Sequence, residues 1–238
     1  MNFNTNAISV LFDIDGTLML TGGAGLTAMR QTMHTLFGME EFPLLTYHGR
    51  TDCAIVRDLF QHAGMPFDDH YVSFRETYQL LLLKALEERK GYLLPGVTNL
   101  LEDISQVEQF SLGVLTGNAR DAAVMKLKNY GIDHFFAYGG YGDFHADRSE
   151  VAREAVQQAA TILGPRFDPT QVVVIGDTPA DVACAKAIRA VSIAVATGGS
   201  TMQELEATNP DLLLKSLMEL TPSSIVDVVE RSRCLRVP

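Results

Sequence analysis

Short apolar runs that end abruptly in small or polar residues recur along the chain, at residues 8–12, 110–115, 172–175 and 191–195. Their length and β-branched content predict strands buried on both faces, as in a parallel sheet. Between the last three, apolar residues recur at helical spacing over 119–130, 149–163 and 180–188. Strand alternating with helix predicts an α/β fold with right-handed crossovers.

Residues 22–94 break that alternation. Segments 24–37, 51–63 and 70–88 each place apolar residues on roughly one face, as with Met29, Met33 and Leu36, and no buried strand is expected among them. The methionines read as core packing. Thr21-Gly22-Gly23 on one side, and residues 91–96 with Pro95 on the other, are candidate hinges. The expected organisation is a Rossmann-like parallel-sheet core from residues 1–21 and 95–238, with an inserted α-helical domain at 22–94. No repeat of fixed period and no low-complexity tract interrupts it.

Composition narrows the function classes. The 238 residues are 47% hydrophobic and 20% charged, which fits an ordinary globular protein and argues against disorder, a collagen-like fibre or a disulfide scaffold. A formal charge of −10 disfavours nucleic acid and anionic membrane as partners. Cys53, Cys184 and Cys234 are odd in number and form no CxxC pair, which fits a reducing compartment. The run 8–12 is too short for a signal-peptide core or a membrane span, and so is the leucine run 80–83. A cytoplasmic protein is expected.

The chemistry gathers where the strands end. Phe12-Asp13-Ile14-Asp15-Gly16-Thr17-Leu18 follows the first run directly. Residues two apart on an extended chain project to one side, so Asp13 and Asp15 face a common site. Two close carboxylates repel, which raises a pKa or recruits a cation. A hard divalent ion such as Mg²⁺ takes carboxylate and phosphate oxygens and cancels the repulsion between this acidic site and an anionic substrate.

This heptapeptide resembles the first motif, DxDGT, of the haloacid dehalogenase superfamily, and the later motifs follow in order. Thr116-Gly117-Asn118 ends the second run at a predicted helix start, where a hydroxyl and free amides make a phosphate cradle. Read without a ligand, Asn118 is simply a good N-cap. In Asp147-Arg148-Ser149-Glu150, Arg148 stands where the family commonly has a lysine that neutralises phosphoryl oxygens, with Asp147 and Glu150 spaced as a capping box. Lys126, Lys128 and Arg153 compete for that role. Gly176-Asp177-Thr178-Pro179-Ala180-Asp181 resembles the family's GDTxxD, although Thr178 and Asp181 also fit a capping box.

The resemblance implies a division of roles. Asp13 is the nucleophile that forms an aspartyl-phosphate, and Asp15 is the acid/base. Mg²⁺ is held by Asp13, Asp177 and the backbone carbonyl of Asp15, with Asp181 behind them or as an occasional ligand. Thr116, Gly117, Asn118 and Arg148 bind phosphate. Tyr47-His48-Gly49-Arg50-Thr51-Asp52 is similar to the family's cap specificity loop, which makes His48, Arg50 and Thr51 candidates for substrate contact. Dehalogenases lack the second acid and need no Mg²⁺, so Asp15 points to phosphoryl transfer.

The resemblance is nearest to phosphoglycolate phosphatase-like members. The expected function is a Mg²⁺-dependent phosphatase for a small phosphorylated metabolite such as phosphoglycolate or a sugar phosphate. The alternatives are a sugar phosphomutase of the β-phosphoglucomutase type and a non-catalytic phosphometabolite-binding protein.

Overall fold

The computed structural model describes residues 6–236. Six parallel strands form one sheet: β1 (Ala7–Phe12), β4 (Phe110–Leu115), β5 (Tyr138–Gly140), β6 (Phe167–Gly176), β7 (Val191–Val195) and β8 (Leu212–Leu214), in the spatial order β5-β4-β1-β6-β7-β8. The chain moves outward from β1 to β4 and β5, then returns to the other side of β1 as β6 and continues to β8. The central strand is therefore flanked by the two strands at which the winding reverses. In open sheets of this kind ligands bind at the carboxyl ends beside that switch point.

Alternation along β1 explains why the sheet needs cover on both faces. Ile8, Val10 and Phe12 join one apolar cluster with Leu100, Leu101, Leu127 and Val229, from α4 (Val97–Ser105), α5 (Arg120–Asn129) and α9 (Pro222–Arg236). Leu11 joins the opposite cluster with Val151, Ala155 and Cys184, from α6 (Arg148–Leu163) and α7 (Pro179–Ala187). Each face thus buries its own set of side chains, the pattern of a doubly covered parallel sheet. A short helix, α8 (Met202–Glu206), completes the chain between β7 and β8.

Residues between β2 (Met19–Leu20) and β3 (Tyr92–Leu93) fold into α1 (Ala24–Phe37), α2 (Asp52–His62) and α3 (Phe67–Glu88). These helices build a separate apolar cluster around Met29, Met33, Leu59, Phe60, Phe74 and Leu82, joined by Ala119 and Ala122 at the start of α5. Phe74 packs edge-to-face on Phe60 at 5.8 Å and stacks on Tyr78 at 5.9 Å. Met29 and Met33 are core residues as expected, whereas Leu36 is 36% exposed.

Within the candidate hinge 91–96, residues 92–93 form a partly exposed strand that pairs antiparallel with β2, Met19 opposite Leu93 and Leu20 opposite Tyr92. The chain leaves and re-enters through a two-stranded ribbon whose two-residue strands carry no legible periodicity.

Candidate active site

β1, β4 and β6 deliver their last residues to one end of the sheet. Asp13 follows β1, Thr116 follows β4 and Asp177 follows β6, and all three are buried. They line a cavity of about 410 Å³ together with Asp15, Gly117, Asn118, Lys126, Arg148, His48 and Arg50.

The loop after β1 is a tight turn. Gly16 donates its N–H to the Met19 carbonyl at 2.9 Å and has φ +87°, a conformation that side chains other than hydrogen disfavour. A Cβ there would stand 2.4 Å from Asp177 Oδ2, and one at Gly198 would stand 1.8 Å from the same oxygen. Glycines keep open the space around Asp177. Its carboxylate accepts from the Thr17 hydroxyl at 3.2 Å and from the Gly199 N–H at 3.1 Å.

Asp13, Asp177 and Asp181 can bring one carboxylate oxygen each to within 4.8 Å of one another. The electrostatics record the crowding. Burial first, and then Asp181, push Asp177 up to about 7. Burial likewise holds Asp13 well above the usual carboxylate range, Asp181 and Asp177 adding to it and Arg148 opposing. Hard oxygen donors, an excess of negative charge and glycine-kept space suit a divalent cation, which would relieve the repulsion.

Arg148 is the first residue of α6, 8% exposed. Its Nη2 pairs with Asp181 Oδ1 and lies 3.4 Å from Asp13 Oδ1. Burial disfavours its charge, yet Asp181 and Asp13 raise its pKa above the ordinary arginine value. Among the described residues Nε is the one buried side-chain polar atom with no hydrogen-bond partner. Asp147 caps α6 by accepting the Ser149 N–H at 2.8 Å. Glu150 is paired with Arg153 on the surface rather than closing a reciprocal box.

The capping box expected at α7 is present, and it decides how Asp181 is spent. Its Oδ2 accepts from the Thr178 N–H at 3.0 Å and hydroxyl at 2.7 Å, while Oδ1 faces Arg148. Both oxygens are engaged.

The side chain of Asp15 turns away from the other three acids. Its Oδ2 accepts from Asn118 Nδ2 at 2.7 Å and from Lys126 Nζ at 2.5 Å. Asn118 is not the N-cap of α5; that position is Ala119, which offers no side-chain cap. Instead Asn118 bridges Asp15 to the Thr116 hydroxyl, 2.8 Å from its Nδ2. Arg148 and Lys126, competitors by sequence, are separated by the fold: the first serves Asp13, the second Asp15. Arg153 faces Glu150 at the surface and Lys128 is exposed.

The candidate specificity loop reaches the cavity only in part. His48 lies against Gly199, whose added Cβ would be 3.0 Å from Nδ1. The Arg50 guanidinium pairs with Asp58 at 2.7 Å, while the Arg50 carbonyl crowds Gly117, where a Cβ would stand 2.0 Å away. Thr51 does not line the cavity. It is fully buried as the N-cap of α2, accepting the Ala54 N–H at 3.1 Å.

The neighbouring Asp52, last in the candidate loop but not singled out there, lines the cavity. Its Oδ2 accepts the Ala119 N–H at 2.8 Å, and its own N–H donates to the Gly117 carbonyl at 2.7 Å. Asp143 similarly accepts the Arg120 N–H at 2.7 Å. Two acids distant in sequence therefore cap α5, which no local motif reveals.

An open parallel sheet with clustered carboxylates, a buried guanidinium and a hydroxyl at adjoining strand ends has the chemistry that suits an anionic substrate and a cation. The chain belongs to the haloacid dehalogenase-like hydrolases, whose family model matches residues 10–195. Among curated relatives, pyrophosphatase PpaX of Bacillus pumilus is 25% identical, over 89% of this chain and 94% of its own length. Phosphoglycolate phosphatase of Synechococcus elongatus is 27% identical, over 93% and 96%. The solved structure of CbbY from Rhodobacter sphaeroides with phosphate shares the fold at a TM-score of 0.73, with 19% identity over 93% of this chain and 99% of that one. Among the described residues no helix is long and apolar enough to cross a membrane.

Proposed function

We propose that the chain is a Mg²⁺-dependent phosphatase acting on a small phosphomonoester of the phosphoglycolate or sugar-phosphate type. The observation that carries this reading is the placement of Asp13 beside Arg148, with Asp177, Thr116 and Asp15 around one cavity. The names of the curated relatives, a phosphoglycolate phosphatase and a pyrophosphatase, support a phosphate substrate.

In this mechanism a carboxylate oxygen of Asp13 attacks phosphorus and the bond to the leaving oxygen breaks, leaving an aspartyl-phosphate. Asp15 gives its proton to the departing alkoxide and then takes one from the water that hydrolyses the intermediate. Arg148, whose Nη2 lies beside Asp13, and the Thr116–Gly117–Asn118 loop hold the phosphoryl oxygens. Mg²⁺ would be held by Asp13, Asp177 and the main-chain carbonyl of Asp15, and when bound it supplies the positive charge that the crowded carboxylates and the substrate need. Asp181, with both oxygens engaged, stands behind as the partner of Arg148.

Residues 22–94 act in this reading as a cap over a core of 1–21 and 95–238, the separate apolar cluster and the β2–β3 ribbon supporting the division. His48 and the main chain of Arg50 face the leaving group, and Thr51 braces α2. Three free cysteines fit a cytoplasmic enzyme.

The test is hydrolysis of p-nitrophenyl phosphate with Mg²⁺, which should be measurable and vanish in Asp13→Asn. Activity surviving that substitution refutes the covalent route. Incubation with β-glucose 1-phosphate separates the alternatives: inorganic phosphate is the expected product, and accumulation of glucose 6-phosphate identifies a mutase.

A further inference from the structure

Lys126 lies at the eighth position after Asn118, in the last turn of α5, where a lysine ordinarily projects into water. Here it is 3% exposed. Its ammonium is 2.5 Å from Asp15 Oδ2 and 2.6 Å from Asn118 Oδ1, and Asn118 Nδ2 donates to the same Asp15 oxygen at 2.7 Å. The three groups close a ring of hydrogen bonds around one carboxylate oxygen. Gly25 and Tyr78 cover it from α1 and α3: a Cβ on Gly25 would lie 3.7 Å from the ammonium and 3.6 Å from the tyrosine hydroxyl. Burying an ammonium is costly unless it is paired and hydrogen-bonded. Asp15 and Asn118 are the two partners that meet that cost, so the position of Lys126 and that of Asp15 are tied together.

We infer that Lys126 is the positioning residue for the Asp15 carboxylate, holding one of its oxygens so that the other is aimed at the leaving group. The inference rests on the phosphatase reading. When Asp15 passes its proton to the leaving alkoxide, a carboxylate remains, and an adjacent ammonium stabilises it. No atom of Lys126 is transferred: the bond from phosphorus to the leaving oxygen breaks, the proton moves from Asp15 to that oxygen, and Lys126 keeps all of its protons.

Arg148 cannot substitute for it, because its guanidinium is committed to Asp13 and Asp181. Asp52, buried against the start of α5, is a second carboxylate within electrostatic reach of the ammonium.

A merely structural lysine and a positioning lysine differ in how their loss depends on the leaving group. A p-nitrophenolate departs without a proton, whereas an alkoxide needs one. The experiment measures kcat/KM, which reports the steps up to formation of the aspartyl-phosphate, for p-nitrophenyl phosphate, phenyl phosphate and β-glycerophosphate in wild type, Lys126→Met and Lys126→Arg. In Lys126→Met the loss should grow along that series, from less than about fivefold with p-nitrophenyl phosphate to on the order of a hundredfold with β-glycerophosphate, the scale of general acid catalysis. Lys126→Arg should recover part of the β-glycerophosphate rate.

An equal loss on all three esters, or none, overturns the inference. Since the ratio is internal to each enzyme, a partly unfolded preparation does not distort it, and if Lys126→Met does not fold then Lys126→Gln reads the same ratio. A wild-type protein inert toward every ester refutes the phosphatase reading itself, a result distinct from an active wild type with a uniform loss in the variants.

Discussion

Asp52 offers a test in which the sign and size of an effect follow from a single buried carboxyl. It is the first residue of α2, 8% exposed, and it accepts the Ala119 N–H across the boundary between α2 and α5. Burial pushes its pKa from the usual 3.8 up to about 6, with Lys126 and the Ala119 amide pulling the other way. The folded chain therefore holds this proton more tightly than the unfolded one. Stability from this group is fully present below about pH 4, declines as pH rises through 6, and is constant above. The interval is roughly two pH units, and at ~1.4 kcal/mol per unit the ionised carboxylate costs about 3 kcal/mol.

Asp52→Asn keeps an acceptor oxygen for Ala119 but has no proton to lose. Thermal melts of both proteins from pH 4 to 7.5 isolate the effect, since the ionisations the two proteins share cancel. The difference in stability should move by about 3 kcal/mol in favour of the variant across that range. For a chain of this size that is on the order of 6–12 °C in Tm. A difference that stays flat with pH would refute the reasoning.

Two further outcomes follow from the carboxylate cluster. Adding Mg²⁺ to chelator-treated protein should raise Tm, by about 2.7 kcal/mol of stability at a hundred times Kd, and Asp177→Asn should abolish the gain in calorimetry. Arg148→Met leaves Asp13 and Asp181 buried without their cation, so urea melts should show a loss of about 3–5 kcal/mol together with loss of p-nitrophenyl phosphate turnover. A variant within 1 kcal/mol of wild type would show that Arg148 does not neutralise the pair.

Much of this architecture was legible because its signals are local. Apolar runs marked β1, β4 and β7 to within a residue, since a strand covered on both faces must be apolar throughout. α1 matched its expected span at both ends, with glycines flanking it. Among the elements the sequence reading left out, α4 has a helical pattern in Val97, Leu100, Leu101 and Ile104, whereas β5 and β8 have none to read. β5 is three residues, two of them glycine, and β8 is three leucines in a loop-rich tail. β6 begins at Phe167, earlier than expected, because its first half is polar and partly exposed.

The sequence by itself determined the fold class, the order of the strand ends and the acids and hydroxyl standing at them, because each is written in consecutive residues or in a short period. Which cation meets which acid was decided only by the tertiary structure. Arg148 and Lys126 are both plausible phosphate ligands on paper; folding sets the first against Asp13 and Asp181 and buries the second against Asp15 and Asn118. The same holds for Asp52, which caps a helix 67 residues away. A buried charge takes its function from the partners that compensate its desolvation, and those partners come from distant parts of the chain.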